Sequence, residues 1–78
     1  MHERRQHPRL ATDTAARLLV NYKFVICCIV RDWSIGGACL EVVELINVPD
    51  TFDLITDDAG HICQVVWRRD TRMGVAFQ

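Results

Sequence analysis

Phe24-Val25-Ile26-Cys27-Cys28-Ile29-Val30, followed at once by Arg31-Asp32-Trp33-Ser34-Ile35-Gly36-Gly37, is the stretch whose reading decides the fold. The first part is the longest uncharged apolar run in the chain. Periodicity alone would also allow a buried helix, but the shortness of the run and its Val and Ile content favour a strand. A strand apolar at every position suits burial on both sides or the wall of a barrel. A membrane-spanning helix needs about 20 such residues, so this run does not cross a bilayer. Gly36-Gly37 then breaks the strand.

Outward from this stretch the same pattern repeats. Ala15 to Lys23 reads as a preceding strand, with a turn near Asn21 to Lys23. Ala38 to Val43 resumes beyond the glycines, with Ala38, Leu40 and Val42 on one face and Glu41 on the other. Asn47 to Asp50 is a loop and Thr51 to Thr56 a further strand. Asp57-Asp58-Ala59-Gly60 is a turn in which Gly60 is expected to supply a positive φ. His61 to Arg69 and Arg72 to Phe77 form a hairpin about Arg69-Asp70-Thr71. Cys63, Val65 and Trp67 are expected on one face of its first strand, and Met73, Val75 and Phe77 on one face of its second. No segment carries a sustained helical period. Six short strands with regular turn signals predict an all-β fold, a small antiparallel barrel or sandwich. The expected organisation is a single domain over 1–78, with an extended arm over 1–13 and the barrel over 14–78. Closure is expected to bring the first and last strands together, and with them two basic clusters, Arg4, Arg5 and Arg9 against Arg68, Arg69 and Arg72.

Composition narrows the function classes. The 78 residues are 50% hydrophobic and 24% charged, with a formal net charge of −1, which is globular and not disordered. A near-neutral balance argues against a general nucleic-acid binder. The six aromatic residues, Tyr22, Phe24, Trp33, Phe52, Trp67 and Phe77, are scattered along the sequence with no stacking platform. The N-terminal residues carry no apolar signal stretch, so a cytoplasmic location is expected. Cys27, Cys28, Cys39 and Cys63 contain no Cys-x-x-Cys pair, and neighbours on a strand point to opposite faces. Reduced thiols packed as small apolar residues are expected, with no metal site. No nucleophile, base and acid can be assembled, so no catalytic residue is assigned.

Two short motifs carry the functional signal. Arg5-Gln6-His7-Pro8-Arg9 is an Arg-x-x-x-Arg pair on the arm, and Asp32-Trp33-Ser34-Ile35-Gly36-Gly37 is an Asp-x-Ser-x-x-Gly turn. Cys63 to Arg68 and Met73 to Phe77 follow in order. Together these segments resemble the PilZ domain family from Glu3 to Phe77. The resemblance implies a six-stranded antiparallel β-barrel with an extended N-terminal arm. It also implies a non-enzymatic receptor for the bacterial second messenger cyclic di-GMP. The implied ligand-binding residues are Arg5, Arg9, Asp32, Ser34 and Gly37, with Arg4, Gly36 and Arg68 as further candidates. No cofactor is implied beyond that ligand. A protein partner or fused effector is expected, with no nucleic acid and no membrane insertion. The competing class is a PilZ-like interaction domain that has lost the ligand.

Physical chemistry supports the same residues. Cyclic di-GMP is a dianion carrying two guanines. A guanidinium can chelate phosphate oxygens, or guanine O6 and N7, through two parallel hydrogen bonds. Pro8 stiffens the chain between the two arginines and so lowers the entropy lost on binding. Asp32 offers acceptors suited to a guanine N–H edge or to orienting an arginine. Ser34 can donate to phosphate or close its own turn. Gly36 and Gly37 allow the backbone to bend and to approach a ligand.

Overall fold

The computed structural model describes residues 10–43 and 47–78. Six strands are present, β1 (Leu10–Val20), β2 (Phe24–Trp33), β3 (Gly37–Glu41), β4 (Thr51–Ile55), β5 (Gly60–Arg69) and β6 (Arg72–Phe77). They close into an antiparallel barrel in the order β1-β2-β3-β6-β5-β4. No helix occurs among the described residues, and none is long and apolar enough to cross a membrane.

The period-2 reading finds the core. Leu18, Leu40, Leu54, Met73, Val42 and Cys63 are fully buried, and Ala16, Cys28, Val30, Ala38, Phe52 and Val75 pack with them. Each inward Val, Leu, Phe or Met side chain contributes about 1.5–3 kcal/mol by leaving water. The continuous apolar run of β2 alternates in space even though it does not in sequence. Cys28 and Val30 face the core, while Phe24, Val25 and Cys27 are exposed. It is therefore a barrel wall and not a doubly buried strand.

Three expectations need correction. Closure joins β1 to β4, through Arg17↔Ile55 to Leu19↔Asp53, and β6 lies between β3 and β5. The first and last strands do not meet. The β5–β6 hairpin that carries Arg69 and Arg72 also lies at the opposite end of the barrel from Leu10, where the arm joins. The second correction concerns the start of β1, which is Leu10 and not Ala15. Those first positions are all exposed, with Thr12, Asp13 and Thr14 polar, and they pair with β2 alone, so no apolar alternation marks them. The third concerns the glycines, none of which has a positive φ. The Asp57–Gly60 turn is closed instead by the Thr56 N–H donating to the Ala59 carbonyl at 2.9 Å. Left-handed backbone falls on Asp13, Asn21, Tyr22 and Asp70.

Two irregularities in the ladders decide where the outer side chains point. Between β2 and β3 the register passes from Val30↔Leu40 to Asp32↔Cys39, so Arg31 is an extra residue on β2. Between β5 and β6 it passes from Val65↔Val75 to Trp67↔Gly74, leaving Val66 extra. Each bulge reverses the in-out alternation beyond it. Asp32 and Trp67, inward by simple alternation from Val30 and Val65, both turn to the outer face. The expected common face for Cys63, Val65 and Trp67 therefore ends at Val65.

Candidate functional site

Opposed residues in an antiparallel ladder share a face, so the outer surface can be read row by row. One row runs Asp32, Cys39, Gly74, Trp67 across β2, β3, β6 and β5. The next row toward the Asp-x-Ser-x-x-Gly turn holds Gly37, Ala76 and Gln64. Gly37, Cys39, Gly74 and Ala76 thus make a floor of small side chains, with Asp32 on one flank and Trp67 on the other. Three strand spacings separate the flanks, roughly 14 Å along the surface. Trp67 lies directly over Gly74, where an added Cβ would fall on the indole Nε1. The indole is nonetheless 46% exposed. Sequence reasoning placed Trp67 on one face with Cys63 and Val65, saw no stacking platform, and missed this position. The readable signal was the small outer pair on each of two strands, Gly37-x-Cys39 and Gly74-x-Ala76.

The turn beside this floor is held by its own motif. Ser34 is the one buried polar residue among those described, at 7% exposure. Its N–H donates to the Gly37 carbonyl at 2.8 Å and its hydroxyl to the same oxygen at 3.2 Å. The Gly36 carbonyl accepts from the Phe77 N–H at 2.9 Å, which ties the turn to the end of β6. Gly37 is needed for close approach and not for its φ, because a Cβ there would meet the Val75 carbonyl oxygen. These contacts make Ser34, Gly36 and Gly37 the frame that sets Asp32 at the edge of the floor.

Inside the barrel at the same end, Trp33, His61 and Phe77 meet. His61 stacks on Phe77 with ring centroids 4.7 Å apart, and Trp33 lies 4.9 Å from Phe77 and 5.1 Å from His61. The scattered aromatics of the sequence are therefore partly gathered in space, but these rings plug the barrel and do not line its outer face. The plug gives the turn a rigid base.

Of the predicted site residues, Asp32, Ser34, Gly36 and Gly37 come together here. Arg68 follows Trp67 and its Nη2 donates to Asp50 Oδ1 at 2.9 Å, toward the far end of the barrel. Arg4, Arg5 and Arg9 lie outside the described residues. A concavity of about 910 Å³ lies elsewhere, on the outer β1–β2 face along Ala15, Arg17, Cys27, Ile29 and Ile55. It contains none of the residues the motifs single out.

The thiols are free. Burial pushes Cys28 up to about 11 and Cys63 up to about 12, so both stay protonated and inert at neutral pH. Among the described residues no three His, Cys, Asp or Glu side chains are grouped as a metal ion would need.

Comparison with known proteins agrees with this architecture. The family model described as PilZ domain matches residues 3–78. The chain belongs to the PilZ domain family, whose members are in general binding modules for cyclic di-GMP. A search of curated proteins returned no match.

Proposed function

We propose that this domain is a non-enzymatic receptor for cyclic di-GMP, bound on the floor of Gly37, Cys39, Gly74 and Ala76. The observation that carries the reading is the pair of bulges that turn Asp32 and Trp67 onto one outer row. Arg5 and Arg9 supply charge for the two phosphates or for the O6 and N7 edges of guanine. Asp32 accepts from a guanine N–H edge. Trp67 offers an aromatic surface on which a base can stack, a contact worth about 1–3 kcal/mol per base in nucleic-acid complexes. Ser34, Gly36 and Gly37 act chiefly through the turn, and Arg4 adds positive charge around the ligand, whereas Arg68 is engaged by Asp50 away from Asp32. No bond in the ligand is broken, and no further cofactor takes part. The output is a changed contact with a protein partner or fused effector, inside the bacterial cytoplasm where the messenger acts.

A second reading, an interaction module that has lost its ligand, is favoured by the apolar concavity on the β1–β2 face, which is available to a protein partner. Indole fluorescence separates the two. Trp33 is packed among rings while Trp67 faces outward, so cyclic di-GMP should change the emission of the parent and not of Trp67→Phe. GTP should leave both unchanged. A parent whose emission and melting temperature ignore the dinucleotide would favour the interaction module.

A further inference from the structure

Pairing between β1 and β4 stops at Arg17↔Ile55, and the chain then turns through Thr56 to Ala59. The outward side chains beside that turn are mostly small or apolar. Arg17 is opposed by Cys27 on β2 and Ala15 by Ile29, so these four share the outer face with Ile55. Ala15 and Cys27 are too short to fill the space above them, and the hollow of about 910 Å³ lies here. Val43 stands on its rim and is 95% exposed.

The charged groups of this face fall into two sets. Arg31 and Glu41 belong to an ion-pair bridge. Arg31 Nε donates to Glu41 Oε1 at 2.6 Å and Arg31 Nη1 to Asp13 Oδ1 at 2.8 Å, while Glu41 accepts from Thr71 Oγ1 at 3.1 Å. Arg17 and Asp57 also line the hollow, both exposed. Among the described residues neither of these two has an ion pair or a side-chain hydrogen bond.

We propose that this face docks a second copy of the chain, in a two-fold dimer that sets Arg17 of each copy against Asp57 of the other. Cys27, Ile29, Ile55 and Val43 close between them. The charges select a second copy over an unlike protein. In a two-fold contact the same patch meets itself, so one cation and one anion per copy are matched together. A partner of one sign would satisfy one of them and leave the other covered and unpaired. The area also suffices. A specific interface removes about 800 Å² from each partner, roughly a seventh of the 5636 Å² surface of this molecule, and the face draws on four of the six strands. Asp32 does not line this hollow, so the dimer is independent of the dinucleotide site.

Sedimentation equilibrium under reducing conditions tests this on the parent, Arg17→Glu, Asp57→Arg, the double reversal and Cys27→Glu. All three positions are exposed, so the barrel should be retained, and a thermal melt checks that it is. The mass of the parent should rise from 9.0 kDa toward twice that value between about 1 μM and 1 mM. Each single reversal should raise the dissociation constant by about tenfold or more, because it opposes like charges. The double reversal should return it to within about threefold of the parent. Cys27→Glu should also favour the monomer, by placing a charge in the apolar part of the contact. A parent whose mass stays at 9.0 kDa overturns the inference and leaves the face to an unlike partner. A dimer that every variant retains places the contact elsewhere and overturns it too, as does a double reversal no tighter than the singles.

Discussion

Tyr22 shows how a single residue can carry a cost that its contacts do not reveal. It closes the β1–β2 hairpin with φ 58°, next to Asn21 at 55°, while its side chain is 81% exposed. Asparagine tolerates this conformation, but for tyrosine it costs about 1–2 kcal/mol. Tyr22→Gly should therefore stabilise the domain by about 1 kcal/mol, raising the melting temperature by roughly 4–8 °C for a chain this small. A lower melting temperature in a thermal melt would refute this. Asp32 and Trp67 belong to the same scale with the opposite balance. Asp32→Ala and Trp67→Ala should each weaken cyclic di-GMP binding by about tenfold or more, as expected for a charge-assisted hydrogen bond and a stacked base. Stability should change little for Trp67→Ala, whose indole covers an outer glycine and not the core. Equal affinity in either variant, measured by titration, would remove that residue from the site. The thiols make a third case. Cys27 is exposed, whereas Cys28, Cys39 and Cys63 are buried. A thiol reagent at neutral pH should modify one cysteine quickly and the other three only on unfolding. The raised folded-state values of Cys28 and Cys63 keep their protons on the native protein while the unfolded chain loses them. Stability should then fall as pH rises above about 9. A melting temperature flat from pH 8 to 10 would contradict this.

Elements were legible in the sequence wherever alternation was regular. Ala38, Leu40 and Val42 on β3, and Met73, Val75 and Phe77 on β6, take the predicted inward faces. The turns at Asn21 to Lys23 and at Arg69 to Thr71 fall where polar residues interrupt the apolar runs. The bulges were not legible, because Val65-Val66 and Val30-Arg31 give no local sign of an extra residue in the ladder. That is why Asp32 is assigned from its motif alone and Trp67 is expected on the same face as Cys63 and Val65. The closing pair was also out of reach. Which strand meets β1 is settled by non-local packing of Leu18 against Leu54, and nothing in the local pattern of β1 distinguishes β4 from β6. The ion-pair bridge carries a pH signature at this scale. Arg31 and Thr71 hold the Glu41 carboxyl below its ordinary range. A depressed carboxylate stabilises the fold above its unfolded value, near 4.3, and that contribution is lost as pH falls through the lower folded value. Melts from pH 7 to pH 3 should show Glu41→Gln closing the gap to the parent only below about pH 4. A gap unchanged at pH 3 would mean that the bridge does not contribute through charge.

The whole barrel divides its surface by task. One end gathers the Asp-x-Ser-x-x-Gly turn, the Trp33, His61 and Phe77 plug and the start of β1 at Leu10. The other end carries the β1–β2 turn and the β5–β6 hairpin, with exposed Tyr22, Phe24 and Val43. Because the ligand is a dianion and the proposed contacts are arginines, affinity should fall as salt rises from 50 to 500 mM. The most direct measurement is a calorimetric titration of the 78-residue protein with cyclic di-GMP, with GTP as control. The account predicts micromolar or tighter binding of the cyclic dinucleotide alone, at a stoichiometry of one ligand or an intercalated pair. The absence of heat and of any thermal shift, or equal binding of GTP, would contradict it.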